Sequence, residues 1–218
     1  MAARVSLHQD VLRGNREWAE RNRSACKSHR IFVVNLMSSP GAGKTSLLES
    51  VIPSLRTQLR VAVIEGDVWT TLDAERIARL GVRTVQINTL GACHLDARMI
   101  NDVIAQLPLA QIDLLLVENV GNLVCPADFD LGEDCRITVI STTEGADKAE
   151  KYPSAFRNAH AVLLNKIDLL PYLAFDIKRI QDAVSALNPA APVFPVSAIT
   201  GEGLTAWTDW LLRQAKER

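Results

Sequence analysis

No stretch of this 218-residue chain approaches the roughly 18–20 consecutive apolar residues that a membrane span requires. The opening residues Met1–Asp10 also lack the apolar centre of a secretory signal. Charge of one sign is equally missing, since 24 Lys and Arg stand against 25 Asp and Glu for a formal net charge of −1. Composition therefore gives no reason to expect nucleic acid or an anionic membrane as a partner. Cysteine is sparse. Cys26, Cys93, Cys125 and Cys135 are too few for a disulfide framework and read as reduced thiols or metal ligands in a cytoplasmic protein. Internal repeats and low-complexity tracts are absent as well. What remains is enough chain for one domain with a sizeable core.

Short apolar runs alternate with helical patterns, the rhythm of an α/β fold with a mostly parallel sheet and helices on both faces. The expected strands are Ile31–Leu36, Val61–Glu65, Thr84–Asn88, Leu114–Glu118, Ile137–Ser141, Ala161–Leu164 and Val193–Val196. Helical patterns lie near Lys44–Arg56, Thr71–Leu80, Leu95–Ala105, Ala149–Ala159, Phe175–Leu187 and Leu204–Lys216. Pro53, Gly81, Pro108, Pro171 and Asn188-Pro189 fall at or near their edges. Residues 1–30 read as a short helical arm: apolar Val11, Leu12 and Trp18 sit amid Arg13, Arg16, Arg21, Arg23, Lys27 and Arg30. That pattern suits a helix packed on the domain of residues 31–218, or an arm that docks a partner.

Residues 38–45 read Ser-Ser-Pro-Gly-Ala-Gly-Lys-Thr directly after the first apolar strand, which is a phosphate-binding loop of the P-loop NTPases. Pro40, Gly41, Ala42 and Gly43 keep the loop small enough for backbone N–H groups to curl around a polyphosphate. Lys44 reaches the terminal phosphates, Thr45 offers a hydroxyl to Mg²⁺, and Ser46 opens the helix whose positive end faces the anion. Ser38 stands where the first Gly of the pattern is expected.

Further along, Asn165-Lys166-Ile167-Asp168 follows a strand, at the carboxyl edge where α/β sheets bind ligands. The Asp168 carboxylate can accept N1–H and N2–H₂ of guanine together, whereas adenine would leave it facing an acceptor. Asn165 and Lys166 would brace the loop and cover the base, and the Ser197-Ala198 backbone could meet O6. The ligand is thus GTP or GDP. Glu118, in Glu118-Asn119-Val120-Gly121, can reach Mg²⁺ directly or through water, and Gly121 can offer its N–H to the γ-phosphate. Asp67 either positions the attacking water or coordinates Mg²⁺. Lys44 and Asp67 are accordingly the catalytic candidates of a slow GTPase, with no Gln or Arg finger identifiable.

A second constellation carries different chemistry. Cys93-His94 precedes one helix, and Cys125-Pro126 follows the Glu118–Gly121 segment. Thiolate with imidazole suits Ni²⁺ or Zn²⁺. Three ligands fall short of a closed structural zinc site, so a site shared across a two-fold dimer or an open, exchangeable site would be needed. A buried thiol beside a capping histidine is the plainer alternative. Cys26 with His29 is a weaker pair, Cys135 reads as core, and His8 and His160 carry no signal.

Several stretches together resemble the HypB family of nickel-incorporation GTPases. They are Met37–Leu47, Glu65–Asp67 with Asp73-Ala74, Gln86–Thr89, Cys93–Ala97, Glu118–Glu133, Thr143–Pro153, Asn165–Tyr172 and Asn188-Pro189. The resemblance implies a SIMIBI-type G domain that assists nickel insertion into nickel–iron hydrogenase. It also implies a GTP-dependent homodimer with Cys93, His94 and Cys125 as the nickel or zinc site at its interface. Hydrogenase maturation proteins and the hydrogenase large-subunit precursor would be the partners, and Lys148 would contribute to nucleotide or dimer contacts. Two features differ. Many bacterial members begin with a Cys-x-x-Cys-type nickel motif and others carry a His-rich tract, whereas residues 1–30 hold one Cys and two His. Asn88-Thr89-Leu90-Gly91 departs from the Gly-rich form common in relatives. The alternatives are a GTP-regulated docking switch with structural zinc, a urease-type nickel GTPase, whose Cys-Pro-His order is absent here, and a small-molecule kinase on the same loop.

Overall fold

The apolar runs become seven parallel strands ordered β3-β2-β4-β1-β5-β6-β7 in one sheet. The computed structural model describes the backbone of residues 7–217 and the side chains of residues 11–217, so residues 1–6 of the arm and the side chain of His8 lie outside it. In chain order the elements are α1 (Leu7–Ser28), β1 (Phe32–Ser38), α2 (Lys44–Leu55), β2 (Val61–Asp67), α3 (Leu72–Ala78) and β3 (Arg83–Asn88). Then come α4 (Ala97–Ile104), β4 (Leu114–Gly121), α5 (Cys125–Asp128), β5 (Cys135–Ser141), α6 (Lys148–Lys151) and α7 (Pro153–Arg157). The chain closes with β6 (Ala161–Asn165), α8 (Ile177–Leu187), β7 (Val193–Pro195) and α9 (Leu204–Lys216).

Strand periodicity sorts the core onto the two faces of the sheet. Val34, Leu36, Leu114 and Leu116 pack beneath α2 and α9, with Trp207 and Leu211 fully enclosed. Val33, Ile64, Leu115 and Val117 face α1 and α4. Val162, Leu164 and Ile140 pack under α7 and α8 against Phe156, Ile180 and Val184.

Two expectations need correction. The expected helix over Ala149–Ala159 is two short helices, α6 and α7, broken at Tyr152 because Pro153 forces its predecessor out of the helical region. The β1, β2 and β4 strands run two to three residues further than the apolar pattern, to Ser38, Asp67 and Gly121. Polar side chains there are buried at the site, so hydrophobicity alone hides the strand ends.

Helix α1 is fastened by polar contacts. Asn15, Ala19 and Asn22 form one buried face of it. Asn22 Nδ2 donates to Ala97 O at 2.7 Å and Leu131 O at 2.9 Å, while its Oδ1 accepts from Asn101 at 2.9 Å. Asn15 donates to Asp130 O at 2.7 Å and accepts from Ala97 N at 2.8 Å. Gly132, at φ +90°, presses on this face so closely that a Cβ would sit 2.5 Å from Ala19 O. Among the described residues no helix is long and apolar enough to cross a membrane.

Candidate functional site

The carboxyl ends of β1, β2 and β4 open into a cavity of about 420 Å³, lined by the loop after β1, the Glu65–Val68 segment, Asp73, Arg76 and the Glu118–Gly121 segment. Gly41 and Gly43 hold φ of +74° and +94°, values that turn the backbone into an anion-receiving nest ahead of α2. Lys44 is buried, and burial lowers its ammonium below the ordinary lysine range against the pull of Glu118 and Glu65. Its Nζ donates to Ser38 Oγ at 2.7 Å, and Ser38 Oγ in turn donates to Ser39 O at 2.6 Å. The serine that replaces the usual first glycine therefore supplies the lysine with a partner.

Thr45 Oγ1 donates to Glu118 Oε1 at 2.7 Å, while Glu118 Oε2 is buried and has no hydrogen-bond partner among the described residues. Burial raises the Glu118 carboxyl. Glu65 is 2% exposed with Oε2 likewise unpartnered. Its carboxyl is pushed up to about 8, first by burial and then by Glu118, Asp67 and Asp73. Carboxylate oxygens of Glu65, Asp67 and Asp73 lie within 4.8 Å of one another. Orphaned buried carboxylate oxygens beside a phosphate-loop hydroxyl are the donor set of a hard divalent cation, so these residues fit Mg²⁺. Asp67 Oδ1 also accepts from Trp69 N and Thr70 N, both at 2.7 Å, which caps its own loop.

The second lobe is built from Asn165, Lys166, Asp168, Ser197 and Ala198. Asn165 Nδ2 donates to Ala42 O at 2.9 Å and Lys166 Nζ to Gly41 O at 2.7 Å, so both residues clasp the phosphate loop. Ser197 Oγ donates to Asp168 Oδ1 at 2.5 Å and fixes that carboxylate. The Ala198 N–H, expected to meet O6, donates to Asn165 Oδ1 at 3.2 Å. Gly43 tolerates nothing larger, since a Cβ there would lie 2.5 Å from Asn165 Nδ2. Ser46 Oγ accepts from Arg76 at 3.3 Å, and Gly121 runs so close to Pro40 that a Cβ would meet its Cα at 3.0 Å. Lys148 Nζ donates to Ser39 Oγ at 3.1 Å and pairs with Glu144 at 3.1 Å.

Cys93, His94 and Cys125 do come together, their donor atoms within 4.8 Å of one another. The Cys93 thiol is held up by its hydrogen bond to Cys125 and by burial, and burial lowers His94. The His94 ring leans on Phe129 with centroids 4.0 Å apart. Cys93 is exposed, so the trio sits at the surface. Leu90 and Val124, next to it in the chain, are 75% and 57% exposed. Cys26 and Cys135 are buried apart from this trio, and His29 contacts Ala25 O at 3.0 Å.

Two residues of the cavity wall were missed from sequence. Arg76 hydrogen-bonds and ion-pairs with Glu49 of α2, and it reaches Asp73 at 2.8 Å. The Asp73-x-x-Arg76 spacing on one helix was the available signal. Glu65 looked like an ordinary strand end, and only its burial marks it.

Three comparisons bear on this geometry. Residues 32–195 match the family described as CobW/HypB/UreG, nucleotide-binding domain. The hydrogenase maturation factor HypB of Escherichia coli K12 is 48% identical over 210 residues, covering 96% of this chain and 72% of that protein. The crystal structure of the hydrogenase maturation factor HypB from Archaeoglobus fulgidus superposes with a TM-score of 0.87 at 38% identity, over 93% of this chain and 98% of that one. HypB from Helicobacter pylori, solved in complex with nickel, gives 0.89 at 36% identity, over 94% and 96%.

Proposed function

Because the chain belongs to the HypB family, within the CobW/HypB/UreG nucleotide-binding domains, we propose that it is a GTP-hydrolysing metallochaperone that carries nickel during maturation of nickel–iron hydrogenase. The observation that carries this reading is the junction of two sites. The cavity of the phosphate loop and the Cys93, His94 and Cys125 trio share the chain segment from Glu118 to Cys125.

On this reading Gly41–Gly43 amides and Lys44 hold the β- and γ-phosphates, while Asp168, fixed by Ser197, accepts from both guanine donors. Mg²⁺, held by Thr45 with Glu118 and the Asp67 cluster, would neutralise charge on the phosphates. Asp67 orients the attacking water, and Gly121 approaches the γ-phosphate from β4. Turnover is slow because chemistry rests on positioning alone. Nickel is cargo, bound by two sulfurs and one imidazole. The fourth donor comes from a second copy, since the trio is surface-exposed and flanked by Leu90 and Val124, apolar side chains suited to a buried contact. GTP closes this homodimer, and hydrolysis releases the metal to maturation proteins and the large-subunit precursor in the cytoplasm, where all four free cysteines stay reduced.

The test is a nickel and zinc titration of the purified protein with GDP and with a non-hydrolysable GTP analogue, oligomer mass being followed in the same samples. Affinity that depends on nucleotide, tracks dimerisation and is lost in Cys93→Ala is the expected result. Metal bound equally in both states would leave a docking switch with a structural zinc.

A further inference from the structure

Resting on the reading that nucleotide gates the metal site, we propose that Asn119 and Asn122 are the relay between them, the residues that convert nucleotide state into metal-ligand geometry. The argument begins with the period of a strand. Leu116 and Glu118 of β4 face α2 and the phosphate loop, so Asn119 points to the opposite face, toward α1 and α4. One short segment thus touches both sites by turns. Glu118 takes the Thr45 hydroxyl at 2.7 Å, and Gly121 abuts Pro40. Between and after them, Asn119 and Asn122 hold the Cys93–Leu95 segment.

Their bonds are specific. Asn119 is 1% exposed, and its Oδ1 accepts from Leu95 N, the residue after His94, at 3.0 Å. Its Nδ2 donates to Asn35 Oδ1 at 3.2 Å, which anchors the amide in β1. Asn122 Nδ2 donates to Cys93 O at 3.3 Å, and its Oδ1 accepts from Val124 N, beside Cys125, at 2.8 Å. Asn122 therefore bridges the two halves of the trio directly. The far ends of both halves do not follow β4, because α1 ties them down. Asn15 and Asn22 each bond Ala97, three residues after His94, and each also bonds the Asp130-Leu131 loop beyond Phe129. A displacement of Glu118–Gly121 driven by phosphate and cation is thus concentrated in residues 93–95 and 122–125, where the ligands sit. Side chains that hold one segment to another with two or more directional bonds have discrete arrangements, which is what an allosteric coupling requires.

The experiment measures nickel dissociation constants by competition with a chromophoric chelator, for the full chain loaded with GDP or with a non-hydrolysable GTP analogue. It compares wild type with Asn119→Ala and Asn122→Ala. The wild-type ratio of the two constants should lie in the roughly 5–150-fold range typical of coupled sites. In each variant the ratio should fall to within about twofold of one, while nickel binding and nucleotide binding each remain measurable. Asn122 is half-buried and outside the lining of the phosphate cavity, so Asn122→Ala decides the matter if Asn119→Ala fails to fold. A gated wild type with equally gated Asn122→Ala overturns the relay and leaves the metallochaperone reading standing. An ungated wild type overturns both.

Discussion

Glu65→Gln isolates the least expected feature of the nucleotide pocket, a carboxyl that stays protonated near neutral pH. In the folded protein without nucleotide or metal its carboxyl lies at about 8, against an ordinary 4.5. Between those values the folded state holds a proton that the unfolded chain has lost, so stability must fall as pH rises from about 4.5 to 8 and level off above. At about 1.4 kcal/mol per pH unit the gap corresponds to an upper bound of about 5 kcal/mol. Glutamine has the same shape and no charge to lose. Urea unfolding of wild type and Glu65→Gln at pH 5.5 and pH 8.5 reads the effect. The variant should gain on the order of 2–4 kcal/mol relative to wild type between the two pH values. Saturating Mg²⁺ with GDP should narrow the difference, because a cation restores the worth of an ionised carboxylate. An identical difference at both pH values in the metal-free protein would show that Glu65 is not protonated in the fold, and the reasoning from burial would fail.

Asp168→Asn should weaken GTP on the order of 10²–10⁴-fold, and should favour xanthosine nucleotides, whose C2 oxygen accepts from the new amide; unchanged GTP affinity in a fluorescent-nucleotide displacement assay would mean that Asp168 does not read the base. Lys44→Ala should abolish hydrolysis measured by phosphate release, since it deletes the lysine that Ser38 holds at the loop; full turnover would refute the phosphate-loop assignment. Asn22→Leu removes three hydrogen bonds that fasten α1, two of them buried, and should cost about 2–4 kcal/mol in denaturant unfolding, with broadened nickel–thiolate absorption as the loops at residues 93–97 and 130–131 loosen. A loss below 0.5 kcal/mol would show that α1 is held by its apolar contacts instead.

The fold class, the Gly-rich loop after β1 and the Asn165–Asp168 segment that clasps it were legible in the sequence because each is local. A strand followed by Gly-x-Gly-Lys-Thr dictates its own turn and helix, and Asn165–Asp168 carries its chemistry within four neighbouring residues. Apolar period alone placed all seven strands, within a few residues. It could not find their polar ends, because Ser38, Asp67 and Asn119 read as loop residues until the cavity beside them is seen. The same limit hid Arg76, whose role depends on where α3 lies against α2.

Cys93, His94 and Cys125 could be named from their chemistry, but 31 residues separate His94 from Cys125. Only the parallel pairing of β2 with β4 brings the loop after β3 to the end of β4. Asn15, Asn22, Asn119 and Asn122 were invisible for a deeper reason. An asparagine in sequence is an uncommitted donor and acceptor, and its partners here are backbone groups and other asparagines as far as 115 residues away. Local propensity and motif chemistry thus set the Gly-rich loop and the residues around it. The long-range hydrogen bonds of the folded sheet set how the two sites are joined, because directional bonds between distant segments exist only once the backbone has placed them.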